Sequence, residues 1–531
     1  MRFLLFMILA FALLNSFARQ AQITGLHYTH QDVMPGYVLF ENWDEHYLID
    51  ECGDLLHTWY GLGTSRGHAK LLPNGRLIHI NQQRMLNEYD WNGQLVRSTV
   101  PDDPDIILDY EAILLPNGNY LCIGRHQFNC TDFVNIGYDM SGTIGAPQVV
   151  DVVIEMVPES GEIVWEWNIA DHVIQQRDPD APNFGDPAEH PELLDMDRLA
   201  TVDWLRYESF MINGMDYHAD LDQIVLSVRR MSEIVIIDHS TTTVEARGST
   251  GGNSGKGGDI LYRWGNPQNY GRGTPADREL YFQHNPNWIE YGEHTGALIL
   301  FNNGLDRPGM TPGTIYSEAV LIQPPVDEAG HYPLEPGQAY APATPLRRIS
   351  SRTGGPHFYS SYTSAATVLP NGHILITAGD RGQILEVDPD GQVFWNYFVP
   401  NSRYNFFRSE KYPRDYPAFQ TRHLRPQGPL AGSNSTYDCP LVSTEQLVEE
   451  PPLSYQVRYS PADHQLHFTA PRAQPLVYIL FNLQGQKLRQ GQLAAWQSTL
   501  SLAPLPKAMY VLQVQELASP HTQAFKILIS N

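Results

Sequence analysis

Cysteine, positive charge and long apolar runs are all scarce in this chain, and each scarcity closes off a class of protein. The 531 residues hold 4 cysteines and no CxxC pair, which argues against a zinc ribbon or a thioredoxin-like centre. Lysine and arginine number 35 against 59 aspartates and glutamates, a net charge of −24. That balance argues against nucleic acid as a partner, since phosphate backbones need basic patches. It serves solubility instead. There is no P-loop, no GxGxxG ahead of a helix, no HExxH and no GxSxG elbow, so the usual nucleotide, zinc-protease and α/β-hydrolase chemistries drop out. The one apolar run near spanning length, Phe3–Leu14, follows Arg2 and precedes Ser16-Phe17-Ala18. Residues 1–18 are read as a signal peptide, too short for a stable membrane span; a short N-terminal anchor is the alternative.

What is present points to β-structure. Hydrophobic residues make up 42% and there are 28 tyrosines, which excludes wholesale disorder. The length exceeds one ordinary core, so at least two domains are expected. Glycine and proline are plentiful while helical periodicity is scarce, and that combination favours an all-β fold.

Three segments share a phrase: GHAKLLPNGRLIHI (Gly67–Ile80), YEAILLPNGNYLCI (Tyr110–Ile123) and SAATVLPNGHILIT (Ser364–Thr377). Each places a tight Asn-Gly turn before an alternating apolar strand. A second phrase sets a Gly turn before a strand that often carries Trp: DECGDLLHTW (Asp50–Trp59), YDWNGQLV (Tyr89–Val96), PESGEIVWEW (Pro158–Trp167) and DPDGQVFWNY (Asp388–Tyr397). Strand, turn, strand, Gly turn and aromatic strand make one blade of a β-propeller. Blade starts fall near His68, Glu111, Asn213, His284 and Ala365. The strands Gly36–Phe40 and Tyr47–Asp50 have no start phrase and are expected to help close a ring of six blades over residues 25–425. The runs Gln223–Val228, Glu233–Asp238 and Ala297–Phe301 read as short strands within it. Insertions rich in Asp and Pro (Arg177–Ala200) or Gly and Ser (Ser249–Gly258) interrupt the spacing. Residues 426–452 read as a linker, and 453–531 as a small C-terminal β-sandwich.

Export would permit disulfides, and Cys122 with Cys130 is the expected pair, with geometry left to decide. The acidic turns Asp102–Asp105, Asp178–Asp180 and Asp388–Asp390 offer oxygen ligands of the kind Ca²⁺ takes, but turn formation explains them better; no metal is expected.

Propeller ligands sit where the innermost strands converge. Repeat phase therefore nominates His68, Glu111, Asn213, and His284 with Asn285, as residues facing one funnel. A water-filled polar channel would look the same. Arg307 lies downstream of them, and between Asn213 and His284 lies the Arg229–Arg230 pair, one of which should point away if both sit on a strand.

The stretch holding Gln283-His284 and Phe301-Asn302-Asn303-Gly304, then Arg307, resembles the bacterial arylsulfate sulfotransferases, a β-propeller family. The resemblance implies transfer of a sulfuryl group from a small phenolic sulfate donor to a phenol acceptor, with no cofactor and no nucleotide sulfate. It implies that His284 and Arg307 bind the sulfuryl group, His284 as a proton donor, with Asn285, Asn213, His68, Glu111 and Arg229 around them. A planar guanidinium suits sulfate oxygens. The family uses a histidine nucleophile, for which His357 in GGPHFYSSYTS is the candidate here. The chain departs from the family pattern at Met211-Ile212-Asn213, where His-x-Asn is usual, and at Asp109-Tyr110-Glu111, where His-His-Asp is common. It departs again at Asn287, where relatives often carry a second His. These departures keep open a catalytically inactive propeller that binds an anionic ligand or glycan at the cell surface. Residues 453–531, with the NLQGQKL turn and MYVLQV strand, resemble the type IX secretion sorting domain of Bacteroidetes, although Ala508 stands where Gly is usual. That resemblance implies the type IX machinery as a partner, with passage through the periplasm to the cell surface or medium. A generic adhesion sandwich is the alternative.

Overall fold

The computed structural model describes residues 23–128, 131–132, 136, 149–199, 210–311, 314–400, 402, 407–441, 456–460, 463–469, 476–482, 487–493, 499–502, 505–516 and 522–529. The expected signal peptide and Cys130 lie outside the described residues. The chain divides into two units, 1–441 and 442–531.

Six antiparallel sheets, five of four strands and one of five, make up most of the first unit, with a short parallel pair, Val173–Ile174 and Leu194–Asp195, beside them. Sheet 1 is Gly36–Asn42, Glu45–Ile49 and Leu55–Trp59, with Ser409–Pro413 paired on Gly36–Asn42 from the far end of the unit. Sheet 2 runs from Lys70–Leu71 to Leu95–Thr99, and sheet 3 from Ile106–Leu114 to Ile163–Asn168. Sheet 4 holds Ile212–His218, Gln223–Val228, Glu233–Asp238 and Tyr262–Trp264. Sheet 5 runs from His284–Trp288 to Arg347–Ile349, and sheet 6 from Ser364–Val368 to Val393–Phe398. Gly25–Thr29 adds a fifth strand to the outer edge of sheet 6. The five blade-start residues all lie on, or within two residues of, the first strands of sheets 2 to 6. The first strand of sheet 1, Ser409–Pro413, carries no start phrase. The run expected at Ala297–Phe301, the second strand of sheet 5, sits one residue later, at Leu298–Asn302.

Both faces of these sheets are covered, so the middle strands lose the usual alternation. Every residue of Gln223–Val228 and Glu233–Asp238 is buried. Apolar layers fill the space between sheets 1 and 2, 2 and 3, 3 and 4, 4 and 5, and 5 and 6. A further layer, with Phe40 and Ile49 against Ile384 and Trp395, lies between sheets 6 and 1. Two tryptophans of the repeat phrase also reach out of their own sheets by hydrogen bonds. Trp167 donates through Nε1 to the Gly258 carbonyl at 2.8 Å, and Trp395 to that of Glu51 at 2.8 Å. An indole suits this place because its apolar body fills the layer while its N–H finds a partner.

The cysteine pairing differs from the expectation. Cys122 is free and fully buried in the apolar layer between sheets 2 and 3. The disulfide joins Cys52 to Cys439. It fastens a segment expected to be linker: Gln427 and Gly428 exchange backbone hydrogen bonds with Leu55, and Asn434 and Ser435 meet Thr24. Residues 427–441 therefore belong to the first unit. The acidic turns cap themselves, as where Asp388 Oδ1 accepts from the amides of Asp390 and Gln392.

The second unit is two antiparallel sheets. One pairs Gln456–Ser460, Gln465–Thr469 and Thr499–Ser501; the other pairs Lys487–Leu493, Leu476–Asn482, Met509–Glu516 and Thr522–Leu528. Leu466, Leu480 and Leu512 are fully buried between them, the arrangement of a small sandwich.

Candidate functional site

The first strands of sheets 3, 4 and 5 are each broken by a bulge. Register slips where Cys122 and Gly124 pair with Ala112 and Leu108, between Ile212 and Met215, and between His284 and Asn287. A bulge re-aims side chains that regular alternation would bury elsewhere. Left-handed backbone accompanies them: Tyr110 has φ 55°, Met211 61°, Phe282 56°, Asn285 54° and Thr363 32°. Such conformations cost a non-glycine residue ~1–3 kcal/mol each and cluster at functional sites. For a β-branched residue such as Thr363 the conformation is a genuine outlier.

Three of these strained residues, Tyr110, Met211 and Thr363, line one cavity of about 370 Å³ together with Arg229, His284, Tyr362 and Phe407. The walls are mainly apolar and aromatic. Tyr110 and Phe407 lie 5.8 Å apart, and the Phe407 ring meets His284 edge-on at 6.2 Å. This is the size and character of a small-molecule site. The cavity of about 400 Å³ at the edges of sheets 5 and 6 is different. Its Arg347 is paired with Asp390 and its His373 with Glu386.

The polar side of the smaller cavity is His284 and Arg229. His284 Nδ1 is 2.7 Å from Asn303 Oδ1. The amide of Asn303 is oriented by its other bonds, Nδ2 donating to the Ser360 carbonyl at 2.9 Å and to Ser364 Oγ at 3.0 Å. Asn303 Oδ1 is therefore the acceptor, His284 Nδ1 carries the proton, and Nε2 keeps the lone pair. Burial first, and the Arg229 charge second, push the His284 pKa down to about 3. The imidazole is thus neutral at ordinary pH and is a lone-pair donor, the reverse of the proton-donor role expected from sequence. Arg229 is buried and is held by the Ser361 carbonyl at 3.4 Å and Met211 Sδ at 3.7 Å, over the Phe282 ring. Arg229 and Arg230 sit not on a strand but on the tight turn Arg229–Met231, and both are buried.

The other expected residues fall into four places. His68, Glu111 and Asn285 converge on Arg408, which sequence reasoning missed. Arg408 donates to Glu111 at 2.5 Å, to Asn285 Oδ1 and to His68 Nε2. Lys70 joins Glu111 at 3.1 Å and Glu410 joins Arg408 at 3.3 Å. Burial, then the charges of Arg408 and Lys70, hold the His68 pKa well below its ordinary value. Arg408 stands immediately before the first strand of sheet 1, near the phase that nominated His68. Only the missing start phrase hid it. Asn213 is buried and donates to the Gln283 carbonyl at 2.9 Å.

Arg307 is not in the cavity. It pairs with Glu318 at 2.7 Å and is stacked over Tyr281 and Tyr316. The turn that carries it is set by Gly304 at φ 78°, where a Cβ would come within 2.4 Å of the Tyr316 carbonyl. His357 is exposed on a loop, 3.4 Å from Ser351 Oγ, and is also outside the cavity. The functional weight of the Phe301–Gly304 motif thus rests on Asn303, which orients His284, rather than on Arg307.

The arylsulfotransferase (ASST) family model matches residues 25–322. The chain belongs to the arylsulfotransferase family. The matched span carries His284, Arg229 and Asn303, while Tyr362, Thr363, Phe407 and Arg408 lie beyond it. No curated protein matches this arylsulfotransferase-family chain. Solved structures similar to it include a Bacteroides caccae protein of unknown function, 10% identical over 71% of this chain and 98% of that one, with a TM-score of 0.40. They also include the Cps50 (Swd1) β-propeller domain of Myceliophteria thermophila, 11% identical over 71% and 90%, with a TM-score of 0.31. The Dos1 propeller is 10% identical over 72% and 71%, with a TM-score of 0.30.

Proposed function

We propose that this chain transfers a sulfuryl group from a phenolic sulfate ester to a phenol in the His284–Arg229 cavity. One observation carries the reading: His284 is a buried, neutral imidazole whose Nδ1 is committed to Asn303, so that Nε2 is the ring's available nucleophile. Arg229 supplies the charge for the sulfate oxygens, and Tyr110, Tyr362 and Phe407 supply apolar surface for the aryl ring. In the first step Nε2 bonds to sulfur, the aryl S–O bond breaks and phenolate leaves. In the second, the acceptor phenol oxygen bonds to that sulfur, the N–S bond breaks and its electron pair returns to Nε2. The acceptor's proton balances the phenolate released. Adjacent positive charge favours both the bound anion and the spread of its charge during transfer.

In the same reading the six sheets close as a six-bladed propeller, supported by the apolar layer between sheets 6 and 1. Export is supported by the leader-like residues 1–18 and by the Cys52–Cys439 disulfide, a bond that persists in oxidising compartments. Residues 453–531 would then serve as the type IX sorting domain. The rival reading, an inactive propeller that binds an anionic aryl ligand, is favoured by the absence of Arg307 and His357 from the cavity.

Turnover of a chromogenic aryl sulfate, with a phenol or with water as acceptor, separates the two. Transfer to phenol that exceeds hydrolysis is expected, with activity persisting to about pH 4 because His284 protonates only near 3. Saturable binding without turnover would establish the rival.

A further inference from the structure

We propose that Arg408 is a positioning residue for His284. The inference rests on His284 being the reacting group. Arg408 is 5% exposed, and it grips the neighbourhood of His284 from two directions. Its guanidinium donates to Oδ1 of Asn285, the residue directly after His284. Its chain neighbour Phe407 forms the cavity wall that meets the His284 ring edge-on.

Asn285 needs such a grip. It holds a left-handed φ of 54° inside the bulge between His284 and Asn287, where the ladder to Phe301 and Ile299 is interrupted. Its other side-chain bond, from Nδ2 to the Ala366 carbonyl, is long at 3.4 Å. Asparagine tolerates this backbone conformation when its side chain is bonded locally. Arg408 is in turn braced by Glu111 at 2.5 and 3.5 Å, and Glu111 Oε2 also accepts from the Met215 amide at 3.2 Å. A planar fork spans Glu111 and Asn285 together, which the point charge of a lysine does not. Glu111 on the first strand of sheet 3 and Asn285 on that of sheet 5 thus meet at one guanidinium, which holds the residue next to the reacting imidazole.

Arg408→Lys keeps the charge that compensates Glu111 and removes the fork. The double variant Glu111→Gln/Arg408→Gln removes both charges and guards against a misfolded single variant. The decisive readout is the His284 tautomer, from two-bond nitrogen–proton correlations of the imidazole in the full chain. The parent should show a single Nδ1-protonated form, and both variants a mixture. For aryl sulfate turnover, kcat should fall ~10²-fold, the usual cost of misplacing a group by about an ångström, with KM little changed because Arg229 and the aromatic walls remain. In the Arg408→Ala variant, added guanidinium should restore part of the lost kcat. A parent-like tautomer in folded Arg408→Lys, or parent-like kcat, overturns the proposal. If the parent itself shows no turnover, the sulfuryl-transfer reading fails on that result, and the tautomer still decides whether Arg408 positions His284.

Discussion

Two clusters of charged and imidazole groups sit side by side where the first strands meet, and they are built on opposite principles. Around Arg408, two cations face two carboxylates, Glu111 and Glu410, and the space is filled. Around Arg229, one cation and one neutral imidazole border a cavity with no carboxylate among its described lining residues. Charges that neutralise one another make a brace. A guanidinium and a neutral imidazole at the edge of an apolar hollow offer a place for an anion with an apolar body. Composition alone would have assigned both clusters the same role.

The sharpest break in that comparison is Glu111→Ala. Removing one partner of a buried ion pair leaves its counter-charges uncompensated and destabilises by ~3–5 kcal/mol. Chemical denaturation of the first unit should register that loss. An unchanged midpoint would mean that the brace carries no structural weight.

Arg229→Ala should act the other way, on activity far more than on stability. Loss of one preorganised donor to a developing charge typically lowers kcat by ~10²–10³. Steady-state kinetics alongside thermal melting checks this, and equal damage to both would assign Arg229 to the brace rather than the site.

A smaller effect sharpens what pairing does away from these two clusters. His239 lies 2.7 Å from Asp222 and 3.1 Å from Glu155. Burial alone would lower its pKa, but the two carboxylates outweigh burial and raise it to about 9. A raised folded pKa contributes stability that is whole below the unfolded value of 6.5 and is lost as pH rises through about 9. The contribution is at most ~3 kcal/mol. The difference in melting temperature between the parent and His239→Gln should therefore shrink from pH 6 to pH 9.5. A constant difference would remove the charge from the explanation.

Much of the first unit was legible in the sequence because repeat phrases fix local structure. Asn-Gly turns and aromatic strands located the sheets, and their phase correctly put Glu111, Asn213 and His284 on first strands. The site was less legible for three physical reasons. Bulges and left-handed residues break the alternation that phase arguments assume, so Tyr110, Met211 and Thr363 turned into a cavity that regular strands would have denied them. Arg408 stands just before a strand paired across nearly the whole unit, where no local phrase marks it. Motif membership also misled: Arg307 follows the Asn-Asn-Gly turn yet is committed to Glu318, while Asn303 inside that turn orients His284. The disulfide was missed for the same reason as Arg408, since Cys52 and Cys439 are 387 residues apart.

The central claim is that His284 carries the sulfuryl group. Mixing the full chain with an aryl sulfate, quenching in alkali to preserve an N–S bond, and mapping the adduct by peptide mass spectrometry tests it directly. The sulfuryl mass is expected on the peptide containing His284, abolished in His284→Gln and unaffected in His357→Ala. Turnover with the adduct on the peptide containing His357, or turnover that survives His284→Gln, would contradict it.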